Sequence, residues 1–246
     1  MKTSRFASAT LLASLLAACS QPSAPPSGAA NAPAAPQKQG TIEGTIRFTG
    51  KEPPPLQVPI PADLTAICGE LLEQRRVEVG PGHGLGEVVA WVSGAKAPLS
   101  AAPAPPVLDQ KGCAYHPRVL AAAQGTQLTA TNSDPLLHNV RTAAGAPRPF
   151  NTAMPITGMK AQIPLPSTPA VTRLTCDVHP WMVAFVRTFD HPYFAVSDGA
   201  GRFTIQGVPA GKAALALWHP FLGERRLEVD VPENGVARPQ IDWPAP

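Results

Sequence analysis

The sequence of 246 residues has little charge and almost no excess of either sign. Charged residues make up 15% of it, and the formal net charge at pH 7 is +3. Lys2 and Arg5 supply two of these charges, so the rest of the chain carries +1. The sequence has no basic run and no basic patch interleaved with aromatic residues, which gives no support for nucleic-acid binding. It also lacks a glycine-rich phosphate loop, a Ser-His-Asp order and a paired-carboxylate pattern, which disfavours an enzyme.

Long apolar runs are scarce as well, and the run near the N-terminus is typical of a targeting segment. It covers residues 6–18, which is too short to span a bilayer but has the length of a signal-peptide core. The run leads into the letters LAAC, which end at Cys19 and resemble the lipobox of bacterial lipoproteins. This resemblance implies a signal peptide over 1–18, acylation of Cys19 and a lipid-anchored protein in the periplasm, with Ser20 favouring the outer membrane. The alternative is an ordinary secretory signal beside a chance cysteine.

The composition changes after the signal segment. Residues 19–40 consist mainly of Ala, Pro, Ser, Gly and Gln, and cannot bury enough apolar surface to fold, so we expect a disordered tether. Residues 41–246 are enough for one large or two small β domains. The 31 prolines argue against a helical protein and favour strands joined by stiff loops. We therefore predict an all-β fold built of sandwiches.

Apolar patterns locate several strands and one helix. Alternating apolar residues over 41–48 and the segment EVVAWV over 87–92 predict two strands, the second of them buried. The segments TRLTC at 172–176 and VAFVRTF at 183–189 predict two more, on either side of a short loop. Between 63 and 74, apolar residues recur at helical intervals behind a possible Asp cap, which predicts a short helix.

The sequence has four cysteines, of which three remain if Cys19 carries lipid. In an oxidising compartment an odd number leaves one cysteine without an intramolecular partner. Cys68 and Cys113 have no ligand-type neighbours at metal-binding spacing, so we expect them to form a structural disulfide. Cys176 is then the odd thiol, and a metal would hold it as a thiolate where a bare thiol would oxidise or mispair.

Cys176 begins the sequence CDVHPWM, in which His179 and Met182 follow at intervals of three residues. Copper that cycles between Cu(I) and Cu(II) takes a cysteine thiolate and two imidazoles in a plane, with a methionine thioether as a weak axial ligand. A turn-rich loop can direct three such side chains inward. His138, in the sequence NSDPLLHNV, is the candidate for the fourth ligand.

These two segments together resemble the cupredoxins, the blue type 1 copper proteins of the amicyanin and plastocyanin kind. The pattern Cys-x-x-His-Pro-aromatic-Met at 176–182 and the pattern of Asn, Pro and His-Asn-Val at 132–140 agree with the family in order and spacing. The resemblance implies a Greek-key cupredoxin sandwich over 76–192 that binds one type 1 copper. Its metal ligands would be His138, Cys176, His179 and Met182.

The same resemblance assigns roles to residues around the ligands. Asn139 would connect the histidine loop to the cysteine loop by hydrogen bonds. Pro180 would stiffen the loop and spare the cysteine sulfur a hydrogen bond. Trp181, Leu136 and Leu137 would form an apolar patch at which a redox partner docks weakly and briefly. For Trp181, packing in the core is an equally good interpretation.

A second resemblance concerns the C-terminal part of the chain. The segment from 196 to 220 resembles the carboxypeptidase regulatory-like domain, a small transthyretin-like β-sandwich, and residues 40–54 resemble the first strand of that domain. We therefore predict a regulatory-like β module over 193–246. If the opening strand and helix of 41–75 belong to the same sandwich, the copper segment is inserted between its strands. Such modules are usually non-catalytic.

Three functions compete. The leading hypothesis is one-electron transfer between redox partners, such as a cytochrome or a dehydrogenase, by a membrane-anchored blue copper protein. The alternatives are a copper carrier or sensor, and a non-redox interaction lipoprotein with a cupredoxin-like fold. Multicopper oxidases and copper nitrite reductases need further histidines, often one directly before the copper cysteine, where this chain has Thr175. A dinuclear copper centre needs a second cysteine in the loop, where this chain has Pro180.

Overall fold

The computed structural model describes residues 38–245. The predicted signal peptide, the predicted acylation site Cys19 and most of the predicted tether lie outside the described residues. Within 38–245, none of the helices has the length and apolar character needed to cross a membrane.

Residues 38–245 consist mainly of β-strands joined by short turns, and the predicted all-β fold class is confirmed. The strands in chain order are β1 (Gln39–Phe48), β2 (Leu56–Pro59), β3 (Leu71–Gln74), β4 (Val89–Val92), β5 (Val107–Lys111), β6 (Ala114–His116), β7 (Val119–Ala123), β8 (Gln127–Asn132), β9 (His138–Thr142), β10 (Asn151–Met154), β11 (Lys160–Pro164), β12 (Ala170–Thr175), β13 (Val183–Phe189), β14 (Phe194–Val196), β15 (Arg202–Pro209), β16 (Gly211–His219), β17 (Gly223–Val231), β18 (Val236–Ala237) and β19 (Gln240–Trp243). The helical segments are α1 (Thr65–Cys68) and the 3-10 turns Pro81–His83 and Leu99–Ala101.

The helix predicted near 63–74 is shorter than the apolar spacing indicated. α1 spans four residues, begins after Leu64 without a side-chain cap and ends at Gly69. Gly69 has a φ of 81°, a left-handed conformation that glycine adopts without steric cost. The residues that follow form β3, which pairs antiparallel with β2. Leu64 in the helical turn and Leu72 in β3 pack against the same apolar cluster, so the leucine spacing suited a hairpin as well as a helix.

Two sheets enclose one apolar core and form what we call the central sandwich. One sheet has the strand order β10-β9-β12-β13-β7 and the other the order β11-β8-β5-β6. Side chains alternate along each strand. In β13, Ala184 and Val186 are fully buried in this core, whereas Phe185 and Arg187 lie on the opposite face. β9 and β12 are neighbours in the first sheet, and they carry the two segments that the sequence singled out.

A second pair of sheets forms what we call the flanking sandwich. One sheet has the order β15-β1-β18, with β19 also paired to β1, and the other has the order β14-β4-β16-β17. β1 pairs antiparallel with β15 and parallel with β18 and β19. The first and the last described strands therefore belong to one sandwich. The central sandwich, from β5 to β13, is inserted between β4 and β14.

The position of β4 shows where the two sandwiches divide. Val89–Val92 pairs with β14 and β16, so it lies in the flanking sandwich, whereas the sequence boundary at 76 placed it in the segment 76–192. All four residues are buried, and a strand buried on both faces has no alternation that would assign it to a particular core. The strands within 193–246 share sheets with the opening strand of 41–75 and with β4.

An aromatic cluster joins the two sandwiches. The rings of Trp91 and Phe194, from the flanking sandwich, lie 5.6 and 4.8 Å from the ring of Phe189 at the end of β13. The Arg187 guanidinium lies 4.0 Å from the Trp91 ring centroid and forms an ion pair with Glu224. Cation–π contacts of this kind contribute about 0.5–2 kcal/mol. The sandwiches are thus joined by a packed interface as well as by the two chain segments that connect them.

β2, α1 and β3 form a hairpin over residues 56–74 that we call the strap. Within the described residues, β2 and β3 pair only with each other. A disulfide between Cys68 and Cys113 joins the strap to the turn between β5 and β6. The apolar side chains around this disulfide are Val58, Ile60, Leu64, Leu72, Leu136 and Trp181. The strap therefore covers part of the central sandwich at the end where residues 176–182 lie.

Candidate metal centre

The strand pair β12–β13 determines the geometry of the loop over 176–182. Thr175 and Val183 are paired across the two antiparallel strands, so the seven residues between them form the connection. Inside it, the backbone N–H of Cys176 donates to the carbonyl of Met182 at 3.3 Å, and the N–H of Met182 donates to the carbonyl of His179 at 2.9 Å. These bonds close the loop on itself. The side chains of Cys176, His179 and Met182 are consequently almost fully buried.

His138 comes to this loop through sheet pairing. It begins β9, whose later residues pair with the end of β12. The Nδ1 atoms of His138 and His179 lie 2.9 Å apart, and the Nδ1 atom of His179 lies 3.7 Å from the sulfur of Cys176. One nitrogen from each imidazole and this sulfur all lie within 4.8 Å of one another. The structure therefore brings together the three residues predicted as equatorial ligands.

A buried carboxylate holds the other side of the His138 ring. The Asp134 carboxylate lies 2.9 Å from Nε2 of His138 and also accepts the backbone N–H groups of Gly112 and Cys113. Burial raises the pKa of Asp134, but the bonds from Cys113, His138 and Gly112 outweigh it and hold this pKa below its ordinary value. The carboxylate favours the proton on Nε2, which leaves the Nδ1 lone pair on the side of His179.

His179 is suited to bind a metal as a neutral imidazole. Burial, together with the nearby charge of His138 and against the opposing effect of Asp134, lowers the pKa of His179 to about 4. The ring is therefore uncharged at neutral pH and offers a nitrogen lone pair. The indole of Trp181 packs beside it, with ring centroids 5.2 Å apart.

Asn139 connects the segments that carry His138 and Cys176. Its side-chain oxygen accepts the backbone N–H of Asp177 at 2.6 Å, and its amide nitrogen donates to the Asp177 carboxylate at 2.9 Å. Arg141 forms an ion pair with the same carboxylate. The hydrogen bond from Arg141 is the largest cause of the lowered pKa of Asp177. Residue 177, next to the cysteine ligand, is thus anchored to β9.

Two methionines lie near the imidazoles, and their surroundings differ. Met154 pairs with His138 across β9 and β10, and its sulfur accepts a hydrogen bond from Gln110 at 3.0 Å. Met182 belongs to the ligand loop itself and is 1% exposed. The thioether of Met182 is therefore the better candidate for an axial ligand, and Met154 serves as core packing.

The residues predicted to form a docking patch separate into two groups. Leu136 and Trp181 pack under the strap, and the indole N–H of Trp181 donates to the carbonyl of Cys113 at 3.0 Å. Leu137 is 44% exposed and Pro180 is exposed. Val178, which the sequence analysis did not single out, is 46% exposed in the same loop. The apolar surface beside the ligands is therefore formed by Leu137, Val178 and Pro180.

Sequence reasoning also missed Asp134 and the strap. The signal for Asp134 was present, because an acidic residue four positions before a ligand histidine can reach the ring. Asp134 also belongs to a second buried group with Cys113 and His138. In that group the Cys113 sulfur is already bonded to Cys68. The group therefore supports His138 and does not form a separate ligand set.

The donor set fits copper by its chemistry. A thiolate and two imidazoles with a nearby thioether are the ligands of blue copper sites, whereas zinc sites use cysteine, histidine and carboxylates. Among the described residues Cys176 is the cysteine without a disulfide partner. Cys176 is only 2% exposed and lies beside the imidazoles of His138 and His179. This setting suits a metal-bound thiolate.

Comparisons with known proteins found likenesses among solved structures only. No family model and no curated protein matches the chain. The Cu-containing nitrite reductase from Thermus scotoductus is 25% identical over 39% of this chain and 24% of its own, with a TM-score of 0.33. A purple cupredoxin from Nitrosopumilus maritimus is 28% identical over 30% of this chain and 81% of its own, with a TM-score of 0.27. An amicyanin mutant in its reduced Cu(I) form is 21% identical over 41% of this chain and 98% of its own, with a TM-score of 0.31. Likenesses of this extent leave the function to be inferred from the side chains of the chain itself.

Proposed function

We propose that the chain is a type 1 blue copper protein that carries single electrons between redox partners. The observation that carries this proposal is the buried set of one sulfur and two imidazole nitrogens within 4.8 Å of one another. Bound copper would supply reversible one-electron exchange between Cu(I) and Cu(II). Cys176, His138 and His179 would hold it in their plane, and Met182 would be the axial ligand.

The surrounding residues keep this set in one arrangement. Asp134 fixes the orientation of the His138 ring, and Asn139 fixes the backbone next to Cys176. Such outer partners orient the ligands and raise their affinity for a metal. The ligand side chains are almost completely buried, so water is excluded from the site. A preorganised, dry site suits a protein that exchanges electrons and binds no substrate, and we propose no enzymatic activity.

The surface beside the ligands suits a brief encounter with another redox protein. Leu137, Val178 and Pro180 are exposed. Leu137 directly precedes His138, and the other two flank His179 in the sequence. Weak electron-transfer complexes bury less than about 1,200 Å² in total, so a small apolar patch is sufficient. A cytochrome or a dehydrogenase is the expected partner. With acylation at Cys19, the protein would work in the periplasm, anchored to a membrane.

The test is to load the purified protein with Cu(II) and record its visible spectrum. We expect an intense thiolate-to-copper(II) charge-transfer band that is lost in Cys176→Ser. Met182→Leu should shift the band and the reduction potential, whereas the matched variant Met154→Leu should leave both unchanged. A colourless protein that takes up no copper would contradict the proposal. Loss of Cu(I) to an acceptor protein, without reversible voltammetry, would indicate a copper carrier instead.

A further inference from the structure

One buried half-cystine, Cys113, contacts a residue next to each of the two histidines of the proposed site. Cys113 lies in the turn between β5 and β6, and its side chain is fully buried. Its sulfur is bonded to Cys68 of the strap, its backbone N–H donates to Asp134 at 2.9 Å, and its carbonyl accepts the indole N–H of Trp181 at 3.0 Å. Asp134 in turn bonds the ring of His138.

The two branches from Cys113 end at different ligands. Through Asp134, Cys113 reaches His138 from the side opposite the metal-facing nitrogen. Through Trp181, it reaches the aromatic ring that packs against His179. The carbonyl of Trp181 also accepts a hydrogen bond from Gln74 at the end of the strap. The strap therefore contacts the ligand loop directly as well as through the disulfide.

The turn that carries Cys113 depends on these contacts. Gly112 and Cys113 both have positive φ angles, 59° and 57°, which is the backbone of the type I′ hairpin turn. For Cys113, a residue with a side chain, this conformation is strained and persists only where the surroundings over-determine it. Here both N–H groups bond the Asp134 carboxylate, and the sulfur is bonded to the strap.

The strap has few attachments to the central sandwich besides the disulfide. Its two short strands pair only with each other among the described residues, and an isolated two-stranded hairpin is marginally stable in water. Its other attachments are the small apolar cluster around the disulfide, the Gln74 bond and hydrogen bonds from Arg118 to the carbonyls of residues 75 and 76. Apart from the backbone itself, the Cys68–Cys113 disulfide is thus the one covalent bond that attaches the strap to the central sandwich.

We propose that Cys113 is a positioning residue for the ligand side chains, and that its disulfide with the strap is what lets it hold both histidines. The proposal rests on the proposed function for its copper readouts. Removing the disulfide loosens Asp134 and Trp181 together, so the 176–182 loop opens more often. Cys176 then becomes reachable from solvent, and a bound metal leaves more readily.

The first experiment needs no metal. In the metal-free protein, the double variant Cys68→Ser/Cys113→Ser should increase the rate at which iodoacetamide labels Cys176 by about tenfold or more, since local opening limits access to a buried group. Peptide mass spectrometry assigns the label to Cys176 and separates it from any label on Cys19. Val229→Ala, in the core of the flanking sandwich, is the control, because it lowers Tm far from the ligand loop.

The second experiment uses the copper-loaded protein. The double variant should lose Cu(I) to a chelator with an apparent affinity reduced by about 10–100-fold, the range for outer-shell changes at metal sites, and its charge-transfer band should shift. Trp181→Phe keeps the disulfide and an aromatic side chain but removes the N–H bond to Cys113. It should change both readouts in the same direction by a smaller amount, which keeps the test valid if the double variant folds poorly.

The outcomes distinguish this inference from the proposed function. The inference is overturned if the folded double variant labels and releases Cu(I) at wild-type rates, or if Val229→Ala accelerates labelling equally. If the wild-type protein takes up no copper, the proposed function fails. Faster labelling of Cys176 in the double variant would then still support the positioning role of Cys113.

Discussion

The two sandwiches consist of similar strands but bury different interiors. The flanking sandwich has an almost wholly apolar core, and its buried polar side chains among the described residues are His191, in the connection before β14, Ser197 and His219. The central sandwich also buries a large set of polar side chains. Its members are Gln110, Asn132, Asp134, His138, Asn139, Thr142, Thr172, Thr175, His179 and Thr188.

This difference indicates where the molecule carries its function. Burying a polar group costs free energy unless a hydrogen bond compensates it. Asn132 illustrates the compensation, since its amide donates to the carbonyls of Leu136 and of Met154, which pairs with His138. The two histidines of this set lie beside Cys176, whereas Thr172 and Thr188 lie further along β12 and β13. The candidate metal centre thus lies in the sandwich with the more polar interior.

The largest predicted contrast comes from one aspartate in each sandwich. Asp134→Asn removes the negative charge behind His138, so we expect copper affinity to fall by about 10–100-fold. We also expect the free energy of unfolding to fall by about 1–3 kcal/mol, because two buried N–H groups lose a charged acceptor. Copper competition with a chelator and urea unfolding measure the two effects.

Asp198→Asn is the matched control for this variant. Asp198 also accepts two backbone N–H groups, those of Ala200 and Arg202, but in an exposed turn of the flanking sandwich. Its substitution should leave copper affinity unchanged. An equal loss of affinity in the two variants would show that the polar interior of the central sandwich has no special relation to the metal.

The ligand loop was predictable because its geometry is local. A separation of three residues between Cys176, His179 and Met182 is a property of the chain, and the β12–β13 pair closes the loop at its ends. His138 lies 38 positions before Cys176 in the sequence, so copper chemistry alone made it a candidate, and the resemblance to a known family supported the choice. The role of Asn139 followed from the same resemblance.

The strap and the boundary near β4 were not predictable from local patterns. The contact between Trp181 and Cys113 joins residues 68 positions apart, and no periodicity in either segment encodes it. Leucine spacing in 64–72 suits a helix and a hairpin equally, and Gly69 decided between them through its positive φ. β4 is buried throughout, so its pattern could not assign it to one sandwich.

A smaller effect is expected from pH in the flanking sandwich. Burial, with a lesser effect of the Arg118 charge, lowers the pKa of His219 from 6.5 to about 3. Between these values the unfolded chain binds a proton that the folded chain does not. Stability is therefore fully present above about pH 6.5 and is lost as the pH falls towards 3, with a slope of at most about 1.4 kcal/mol per pH unit.

The variant His219→Asn isolates this contribution. Nδ1 of His219 accepts the N–H groups of Phe221 and Leu222, and the Asn side-chain oxygen can accept in its place without titrating. The difference in unfolding free energy between wild type and variant should be constant above pH 7 and should change steadily below about pH 6.5, as measured by urea unfolding across pH. A difference that stays constant throughout would contradict the assignment to His219.

The smallest change in stability is expected at the surface beside the proposed ligands. A substitution there alters neither of the two interiors. Val178→Ser replaces a 46% exposed apolar side chain, so the free energy of unfolding should change by no more than about 0.5 kcal/mol. The electron self-exchange rate, measured by NMR line broadening in mixtures of oxidised and reduced protein, should nevertheless fall several-fold if the proposed docking patch is also where two copies meet. Val107→Ser, at the far end of β5 and 55% exposed, should change neither quantity. Equal rates in the two variants would mean that electrons leave the molecule through another face.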